Sequence, residues 1–454
     1  MNSISLSQPS SHEADIQAAK HYHRNFNAGL IHGIFFQASA AFANINTVLP
    51  AFVSLLTSST FAIGLLASVQ GIGGVLPQMF TAYLLEDKVR KKPYLLAIIT
   101  LRWISWAFLA WLTFTYGSAH PTLILIVLII LFSLFSIAGG VGTVVYADIF
   151  SKAIPAQRRG RFTGLRQMLG FTMAIGAGYV VKRILDNASG IPFPTNYALI
   201  FMLSATFLLI AFLGFALIKE PAYPTTRTAQ SLTDMLRQAL VLARQNNNFR
   251  RILWVKAFTM TGLALAPFYV VYARTEIGIE AGMIGLFLMA QMVGGALSNI
   301  LWGWLGDRIG NKQVILWTAV SGTFIPLLAL FAATTSPYIF LAVFATLGAT
   351  MSGMNLGFNN FMLEMAPLEL RPTCIALQNS LLAPLALLPI LVGLLIQTIS
   401  FSILFAAIAI LMLINIVLST RIIEPRSCPE IRCVRTQGAL VGKRQGESEC
   451  ASLI

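Results

Sequence analysis

The chain has 454 residues, of which 56% are hydrophobic and only 11% are charged, and its mean hydropathy is +0.75. Soluble proteins are about half apolar and about a quarter charged, so this composition excludes an ordinary soluble protein. Apolar runs of about 18 or more residues recur along the chain, and each is long enough to cross a bilayer. The short alternating segments of a membrane β-barrel do not occur. We therefore predict an all-α integral membrane protein.

The polar head and tail of the chain are set apart from its apolar body. Residues 1–25 contain no apolar core of a signal peptide, so we expect them to remain as an N-terminal segment. Residues 424–454 are polar and aperiodic, which predicts a disordered tail. Between them the hydropathy pattern predicts twelve helices, at residues 28–55, 60–85, 94–116, 121–149, 163–183, 196–218, 251–274, 281–305, 313–334, 337–363, 373–398 and 401–422.

A long polar connection, residues 219–250, separates the first half of the chain, 26–218, from the second half, 251–423. Within this connection, residues 231–245 place Leu, Met and Ala side chains along one stripe. Such a stripe predicts an amphipathic helix that lies in the membrane interface. We expect this helix to tether the two halves, and binding of a partner is the alternative.

The distribution of the 31 Lys and Arg predicts the orientation. With the N-terminus in the cytoplasm, only Lys182, Arg183 and Arg274 fall on the outer side, and Arg102 lies within the third predicted helix. Cytoplasmic loops carry an excess of Lys and Arg, so both termini and the central connection are predicted to be cytoplasmic. The net charge of +14 then reflects membrane topology and indicates no nucleic-acid partner. We expect a plasma-membrane protein, taken as one of the bacterial inner membrane.

The two halves are diverged copies of each other. Residues 63–87 align with 284–308 at a constant shift of 221 positions (284 − 63), and residues 154–167 align with 366–379 at a shift of 212 (366 − 154). Chance among apolar residues does not supply Gln, paired Gly, Pro and Arg in consistent order. The matched pairs include Gly64/Gly285, Gln70/Gln291, Gly73/Gly294, Gly74/Gly295, Pro155/Pro367 and Arg159/Arg371.

One short motif carries a family resemblance. Residues 303–312, GWLGDRIGNK, closely resemble the GxLaDrxGrk signature of the major facilitator superfamily, and residues 83–92, YLLEDKVRKK, are a degraded copy at the corresponding place. The resemblance covers about residues 25–423. It implies twelve transmembrane helices in two pseudo-symmetric six-helix bundles, related by an axis along the membrane normal. It also implies a secondary transporter that works by alternating access.

The resemblance implies a cytoplasmic gate at the charged turns. In this superfamily the acid of the motif caps a helix of the other half, and the bases meet an acid at the end of helix 4 or helix 10. The residues in this chain that match the gate are Glu86, Asp87, Arg90, Asp148, Gly303, Gly306, Asp307, Arg308, Gly310, Lys312 and Glu364. We expect the glycines to permit close helix approach and a tight turn. The alternative is that the charges only set the topology.

The chain departs from the pattern in two places. Val89 occupies the position of Gly310 in the first copy, where Glu86-Asp87 also replaces the Asp-Arg pair. Drug/proton antiporters of the superfamily carry an arginine in helix 4 and a proline-containing glycine motif in helix 5. Neither is present here, so membership of that subgroup is not indicated.

Polar side chains within the predicted helices are candidates for a solute-binding cavity. Polar groups in hydrocarbon are costly, and they either line such a cavity or fasten helices together by hydrogen bonds. Asn355 and Asn359 are four residues apart and share a helix face. The candidates are Gln37, Asn44, Gln70, Arg102, Gln291, Asn355, Asn359 and Gln378.

Arg102 is the one cation deep within a predicted helix, and two alternatives remain open for it. Its side chain could reach toward Asp148 near the cytoplasmic face, the alternative that we favour slightly. Otherwise it is an unpaired cation in the cavity, suited to an anionic solute. No Asp, Glu or His stands out as a mid-membrane proton relay, so proton coupling, ion coupling and facilitated diffusion all remain open.

The motifs of other functional classes are missing from the sequence. No GxxxxGK[ST] phosphate loop occurs, and the four cysteines lack the paired spacing of a zinc site. We therefore expect no enzyme activity, no metal and no cofactor. The predicted partners are a small solute and the lipid bilayer, and the predicted state is a monomer. Export of an amphipathic compound is slightly favoured over uptake of a metabolite, and a ligand sensor without net flux is the alternative.

Overall fold

The structure, a computed structural model, describes residues 16–17, 19–85, 88–223, 237, 241, 246–366 and 371–427. All regular structure in these residues is helical, and eleven stretches are long and apolar enough to cross a membrane. The predicted gate residues Glu86 and Asp87 lie outside the described residues. So do nearly all of the predicted amphipathic helix and the tail beyond residue 427.

Six spans form the first half, and the first of them is broken. Its two parts, α1a and α1b, are not among the eleven apolar stretches, because polar residues in the first turns of α1a lower its hydropathy and α1b has only nine residues. The bounds are α1a Tyr22–Phe42, α1b Val48–Leu56, α2 Thr60–Leu85, α3 Lys92–Tyr116, α4 Pro121–Ala153, α5 Ala156–Leu185 and α6 Thr195–Ala216.

Six further spans form the second half, and two of them are broken. A proline lies at or beside each break, where a missing N–H and a restricted preceding residue disfavour a continuous helix. The bounds are α7a Asn247–Leu263, α7b Ala266–Thr275, α8 Met283–Arg308, α9 Asn311–Thr334, α10 Ile339–Met365, α11a Arg371–Leu382, α11b Leu388–Leu395 after a 3-10 turn, and α12 Phe401–Thr420.

The prediction of an all-helical membrane protein with about twelve spans is confirmed. The predicted helices are too short where the real helix extends beyond its apolar stretch. Helix α5 begins at Ala156 rather than at residue 163, and α1a begins at Tyr22 rather than at residue 28. Hydropathy detects only the part of a helix that crosses hydrocarbon, and the polar first turns lie outside that part.

The chain forms two compact units, which differ in extent from the two halves. Unit 1 comprises Met1–Ala229, Pro267–Val293 and Ala386–Ile399. In it α1a packs against α5 and α6, α2 against α4 and α11b, and α3 against α4 and α6. Aromatic rings fill the space between α1b, α3 and α6, where Phe52 and Trp106 both contact Phe201.

Unit 2 comprises Gln230–Ala266, Gly294–Leu385 and Ser400–Ile454. In it α9 packs against α10 and α12, and α7a packs against α12. A hydrophobic cluster among its described residues joins α7a, α10 and α11a, with Phe249, Phe358 and Phe361 fully buried. The helix pairs repeat those of unit 1, as expected for duplicated halves.

The glycines of the sequence repeat lie where helix backbones meet. Gly73 of α2 faces α4, and an added Cβ would lie only 2.8 Å from the Cβ of Ser136 and 2.9 Å from the backbone N of Ile137. Its counterpart Gly294 of α8 faces α10, where an added Cβ would overlap the carbonyl of Ala345. The neighbouring Gly74 has no heavy atom within 4 Å of such a Cβ. The glycine that the two copies share at positions 73 and 294 therefore allows close helix packing in each half.

Gly73→Ala should destabilise the protein by about 1–3 kcal/mol, because the new methyl group must displace the backbone of α4. Gly74→Ala on the same helix meets open space and should gain up to about 1 kcal/mol of helix propensity. Thermal unfolding of the purified variants, followed by tryptophan fluorescence, measures the order of their Tm values. Equal Tm values for the two variants would contradict the close contact.

Candidate gates and solute-binding cluster

Each half has a basic end. In the first half it carries the turn before α3 and the segment after α6, and in the second half the turn before α9 and the segment after α12. In the first half, Glu220 follows α6 and receives the first N–H groups of α3. The Lys91 N donates to both carboxylate oxygens at 2.9 Å, and the Lys92 N donates to Oε2 at 2.8 Å. Free N–H groups at a helix start favour a carboxylate, so Glu220 caps α3.

The second half repeats this cap. Glu424 follows α12, and its Oε2 accepts a hydrogen bond of 2.8 Å from the Lys312 N in the first turn of α9. Gly310 just before α9 has a φ of +124° and packs against the Glu424 carboxylate. A side chain at residue 310 would overlap that carboxylate, and the backbone would be strained. The tight turn expected at Gly310 is confirmed, and its reason is the cap.

Paired asparagines hold the segments that carry these glutamates. In the first half, Asn25 Nδ2 donates to the Lys219 carbonyl at 3.0 Å, and the Lys219 N donates to Asn25 Oδ1 at 2.9 Å. In the second half, Asn248 Nδ2 donates to the Ile423 carbonyl at 2.9 Å, and the Ile423 N donates to Asn248 Oδ1 at 3.0 Å. Each half thus ties the start of its first helix to the segment after its last helix.

The acids at the ends of α4 and α10 are both paired. Asp148 lies 3.3 Å from Lys91 Nζ and 2.6 Å from Lys152 Nζ. The contact with Lys91 joins the degraded motif to helix 4, as the resemblance implies. Arg90, another predicted gate residue, is exposed.

Glu364 of α10 meets partners that the resemblance did not name. It accepts a hydrogen bond of 2.8 Å from Asn311 Nδ2 and one of 3.0 Å from Arg426 Nε, and it forms an ion pair with Arg426 Nη2. Arg426 Nη1 also donates to the Asp307 carbonyl at 3.1 Å. The base that meets the acid of α10 therefore comes from the segment after α12.

The remaining residues of the intact motif are less engaged within unit 2. Asp307 and Arg308 are exposed, and the Arg308 guanidinium lies 5.5 Å from the centre of the Trp304 ring. A Cβ on Gly303 would meet no described atom within 4 Å, whereas one on Gly306 would lie 3.1 Å from Asn311 Oδ1. Close helix approach is thus seen at Gly306 and not at Gly303.

Sequence reasoning missed Glu220, Glu424 and Arg426. A signal was present, because the last helix of each half is followed by a Glu-Pro pair, in KEPA at 219–222 and IEPR at 423–426. Both pairs lie outside the apolar stretches and outside the aligned repeats, so hydropathy and motif matching passed over them.

Burial raises the pKa of Glu424 above its ordinary value of 4.5, and the nearby Glu364 charge raises it further, while the Lys312 N–H and Arg426 oppose the rise. The folded chain therefore binds this proton more tightly than the unfolded chain does. Ionisation of Glu424 then costs folding free energy as the pH rises through the raised pKa.

Glu424→Gln cannot ionise at this position, so it does not carry this cost. We therefore expect the Tm of the wild type, relative to the Tm of the variant, to fall as the pH rises from below 4.5 to neutral. Thermal unfolding at several pH values measures the difference. Glu280→Gln, which removes one exposed carboxylate, is the matched control. A Tm difference that rises with pH would contradict the raised pKa.

The opposite end of unit 1 brings segments of the second half onto the first half. Gly64 of α2 meets the Pro389 carbonyl of α11b, and an added Cβ would lie 2.8 Å from the Pro389 carbonyl carbon. Gly285 of α8 meets α5, and its added Cβ would lie 2.6 Å from the Gly178 carbonyl oxygen. Gly64 and Gly285 are partners in the sequence repeat, so the repeat places matching contacts at α2–α11b and α5–α8.

Arg274 of α7b adds a polar contact at this end. Its Nη1 donates to the Ala51 carbonyl at 2.7 Å and to Ser54 Oγ at 3.1 Å. Thr60 Oγ1 also donates to the Gly393 carbonyl at 2.5 Å. All these acceptors are neutral.

The predicted cavity residues fall into two groups. Asn44 is a structural residue of the α1 break, because its Oδ1 accepts hydrogen bonds from the Asn46 N at 2.8 Å and from Thr47 Oγ1 at 3.2 Å. Gln291 and Gln378 are buried in their units. Gln37, Gln70, Asn355 and Asn359 are half-buried or exposed, and the two asparagines share a face of α10 as predicted.

The favoured pairing of Arg102 with Asp148 is wrong. The Arg102 guanidinium lies beside Gly139 of α4, nine residues before Asp148, which is about 13 Å along the helix. Two further cations inside the bundles, Arg166 of α5 and Lys256 of α7a, fall within the predicted helices 163–183 and 251–274, but the sequence analysis counted them among the cytoplasmic charges. Each helix begins several residues before its predicted start, at Ala156 and at Asn247, so both cations lie deeper in their helices than the predicted bounds indicate.

A large cavity among the described residues is not lined by these cations. It is an apolar groove of about 800 Å³ between α2, α3 and α4, lined by residues such as Leu76, Phe80, Tyr94 and Ile137 that are themselves exposed. Its lining is almost entirely apolar and offers few groups that could orient a polar solute, so it is not a candidate for the solute-binding site.

Comparisons with known proteins agree with this architecture. The family profile "Major Facilitator Superfamily" matches residues 31–272 and 257–432. Among curated protein sequences, none gives a significant match.

Solved structures share the fold at low sequence identity. The nucleoside transporter NupG is 17% identical, with 88% of this chain and 99% of that chain covered and a TM-score of 0.62. A D-xylose-proton symporter is 16% identical, with 89% and 97% covered and a TM-score of 0.64. An auto-inhibited POT family peptide transporter is 11% identical, with 92% and 99% covered and a TM-score of 0.64. Together with the profile match, the duplicated motif and the helical bundles, these matches show that the chain belongs to the major facilitator superfamily of non-enzymatic membrane transporters.

Proposed function

We propose that the protein moves a small solute across the plasma membrane by alternating access, with its basic end and both termini in the cytoplasm. The observation that carries the proposal is the matched pair of glycine contacts, Gly64 with α11b and Gly285 with α5, at the opposite end of unit 1. These contacts join segments of the two halves at the end that the charge distribution predicts to face outward.

Contacts of this kind suit a gate that opens. Gly-to-backbone packing is close but involves few atoms, and the Arg274 hydrogen bonds end on neutral acceptors. Hydrogen bonds from charged groups contribute about 1.5–3 kcal/mol each. A solute that binds one state more tightly by a few kcal/mol can therefore shift such an equilibrium several-fold or more.

The basic end supplies the second set of contacts for the cycle. Lys91–Asp148 and Arg426–Glu364 tie the motif turns to α4 and α10 within each half. Glu220 and Glu424 hold the starts of α3 and α9. We infer that these clusters keep each half rigid while the halves rearrange, and that they bias the equilibrium between the two access states.

Gly64→Ala should open the outer gate, because the new methyl group overlaps the Pro389 carbonyl. The reporter is Ser68→Cys in a background without the native cysteines. Ser68 is fully buried, and its Oγ accepts a hydrogen bond of 3.3 Å from the Ile390 N of α11b. Labelling by a membrane-impermeant maleimide from outside should be several-fold faster in Gly64→Ala.

Gly74→Ala on the same helix is the matched control, since a methyl group there meets open space. Its labelling rate should equal that of the parent. An unchanged rate in Gly64→Ala, with the protein folded, would remove the support for an outer gate at this contact.

Within this function we place export of an amphipathic compound ahead of uptake of a metabolite. The support is the aromatic wall around the inner cations, since Phe36 and Phe135 both face Arg102. Flux of candidate solutes into inside-out and right-side-out vesicles, with and without a pH gradient, separates export, import and coupling. Binding that stabilises the protein without any flux would favour the alternative, a ligand sensor.

A further inference from the structure

Arg102 is a cation in the interior of unit 1 without a counter-charge among the described residues. It lies ten residues beyond the start of α3, which is about 15 Å along the helix. Its guanidinium carbon lies 3.9 Å from the centre of the Phe135 ring and 4.9 Å from that of Phe36. Its Nε is buried with no hydrogen-bond acceptor in the part of the chain that the structure describes. A charge at this depth is costly, and such residues generally serve function.

The described acids of unit 1 do not neutralise it. Asp148 is the acid within the first six spans, and it is held by Lys91 and Lys152. Asp186 lies at the opposite end of α5 and accepts from the Ala188 N. Glu276 and Glu280 lie exposed between α7b and α8. Glu220 is occupied by the backbone of α3. Phe135 and Phe36 stabilise the guanidinium by cation–π contact, but a ring face accepts none of its five N–H donors in the plane of the group.

A second cation lies near the first, across a row of rings. Arg166 of α5 donates from Nη1 to the Tyr146 hydroxyl at 3.3 Å. The His32 ring lies 5.6 Å from the Tyr146 ring and 5.8 Å from the Phe36 ring, centre to centre. Arg102, Phe36, His32, Tyr146 and Arg166 therefore form one continuous cluster between α1a, α3, α4 and α5. We call these five residues, with Phe135, the inner basic cluster.

The sequence repeat shows that a cation at this place is not incidental. At the shift of 212 positions, Arg166 of α5 corresponds to Gln378 of α11a (378 − 212). Asn25 of α1a and Asn248 of α7a make equivalent hydrogen bonds, so the first helices of the two halves align at a shift of 223 positions (248 − 25). At this shift Gly33 of α1a corresponds to Lys256 of α7a (256 − 223). The two halves have thus exchanged which helix carries the charge.

The contacts fit this exchange in each unit. In unit 1 the Arg166 side chain fills the space that a side chain at Gly33 would occupy. In unit 2 the side chain of Lys256 donates from Nζ to Gln378 Oε1 and Asn379 Oδ1, both at 3.2 Å. Each half therefore places one cation between its first and fifth helix, with uncharged hydrogen-bond partners in both cases.

We propose that the inner basic cluster binds the anionic group of the transported solute, so that the substrate is an amphipathic organic anion. This inference rests on the proposed transport function and names its substrate class. Carboxylate or phosphate oxygens match the unused donors of the two guanidinium groups, and Arg binds such planar anions with two parallel hydrogen bonds. The Phe36, Phe135 and Tyr146 rings offer an apolar wall for the body of the solute. Lys256 supplies an equivalent, separate anchor in unit 2.

The test uses four probes with one common body: naphthoate, naphthyl phosphate, the neutral naphthamide and the cationic naphthylmethylammonium. Binding to the purified full-length protein in detergent is measured by thermal shift and by isothermal titration. We expect at least one of the anions to stabilise the wild type, with the amide and the ammonium binding at least about tenfold more weakly. Removing a charged hydrogen-bond partner costs about this much or more.

The variants Arg102→Gln and Arg166→Gln should each weaken anion binding at least about tenfold. Arg161→Gln removes an exposed charge from the same helix α5 and should leave the affinity unchanged. Gel filtration and the Tm without ligand report folding. If Arg102→Gln fails to fold, Arg102→Lys serves in its place, because it keeps the charge but loses the paired donors, and Arg166→Gln remains independent.

Three outcomes would overturn the proposal. The first is that naphthamide binds as tightly as the anions. The second is that both Gln variants bind the anions as tightly as the wild type does. The third is that neither anion stabilises the wild type. The Ser68→Cys labelling assay separates this failure from that of the transport function. If Gly64→Ala speeds labelling while the anions do not bind, alternating access stands and only the substrate class falls. Anion binding without any change of accessibility or flux would instead overturn the transport function.

Discussion

Close approach of helix backbones at glycine is the contact on which the arrangement of both units depends. Within a bilayer the hydrophobic effect does not drive helices together, so packing and hydrogen bonds must do so. Gly73 and Gly294 let α2 and α8 press against α4 and α10 inside their units. Gly64 and Gly285 make equivalent contacts at the opposite end of unit 1. One pair of repeated positions therefore builds the bundles, and the other pair joins segments that alternating access would separate.

Charges are used in two different ways along the helices. At the basic ends they are paired, and the glutamates after α6 and α12 cap the starts of α3 and α9. Inside the bundles, Arg102, Arg166 and Lys256 have aromatic or uncharged neighbours. Paired charges near water stabilise a fixed arrangement, whereas a buried cation with unused donors would gain further hydrogen bonds from an anion. The first pattern suits structural joints, and the second suits a binding site.

The clearest agreement between sequence and structure concerns elements with strong periodic signals. The long apolar stretches and the turn at Gly310 were predictable, since each depends on local composition or on a motif. The inner cations were harder. Arg166 and Lys256 lie within the predicted helices but were counted among the cytoplasmic charges, and Arg102 was expected to reach Asp148. That acid is occupied by Lys91 and Lys152, which the sequence analysis counts only as topology charges.

The amino-acid sequence by itself determined the class of the protein, the number of spans, the duplication and the family, because hydrocarbon thickness and motif spacing leave few alternatives. It also identified the two charged turns as a repeated motif. Only the tertiary structure decided which residues meet, because partners such as Arg166 and Gly33 or Glu424 and Lys312 are far apart along the chain. A cation without a counter-charge can be recognised only once every neighbouring acid has been assigned its own partner.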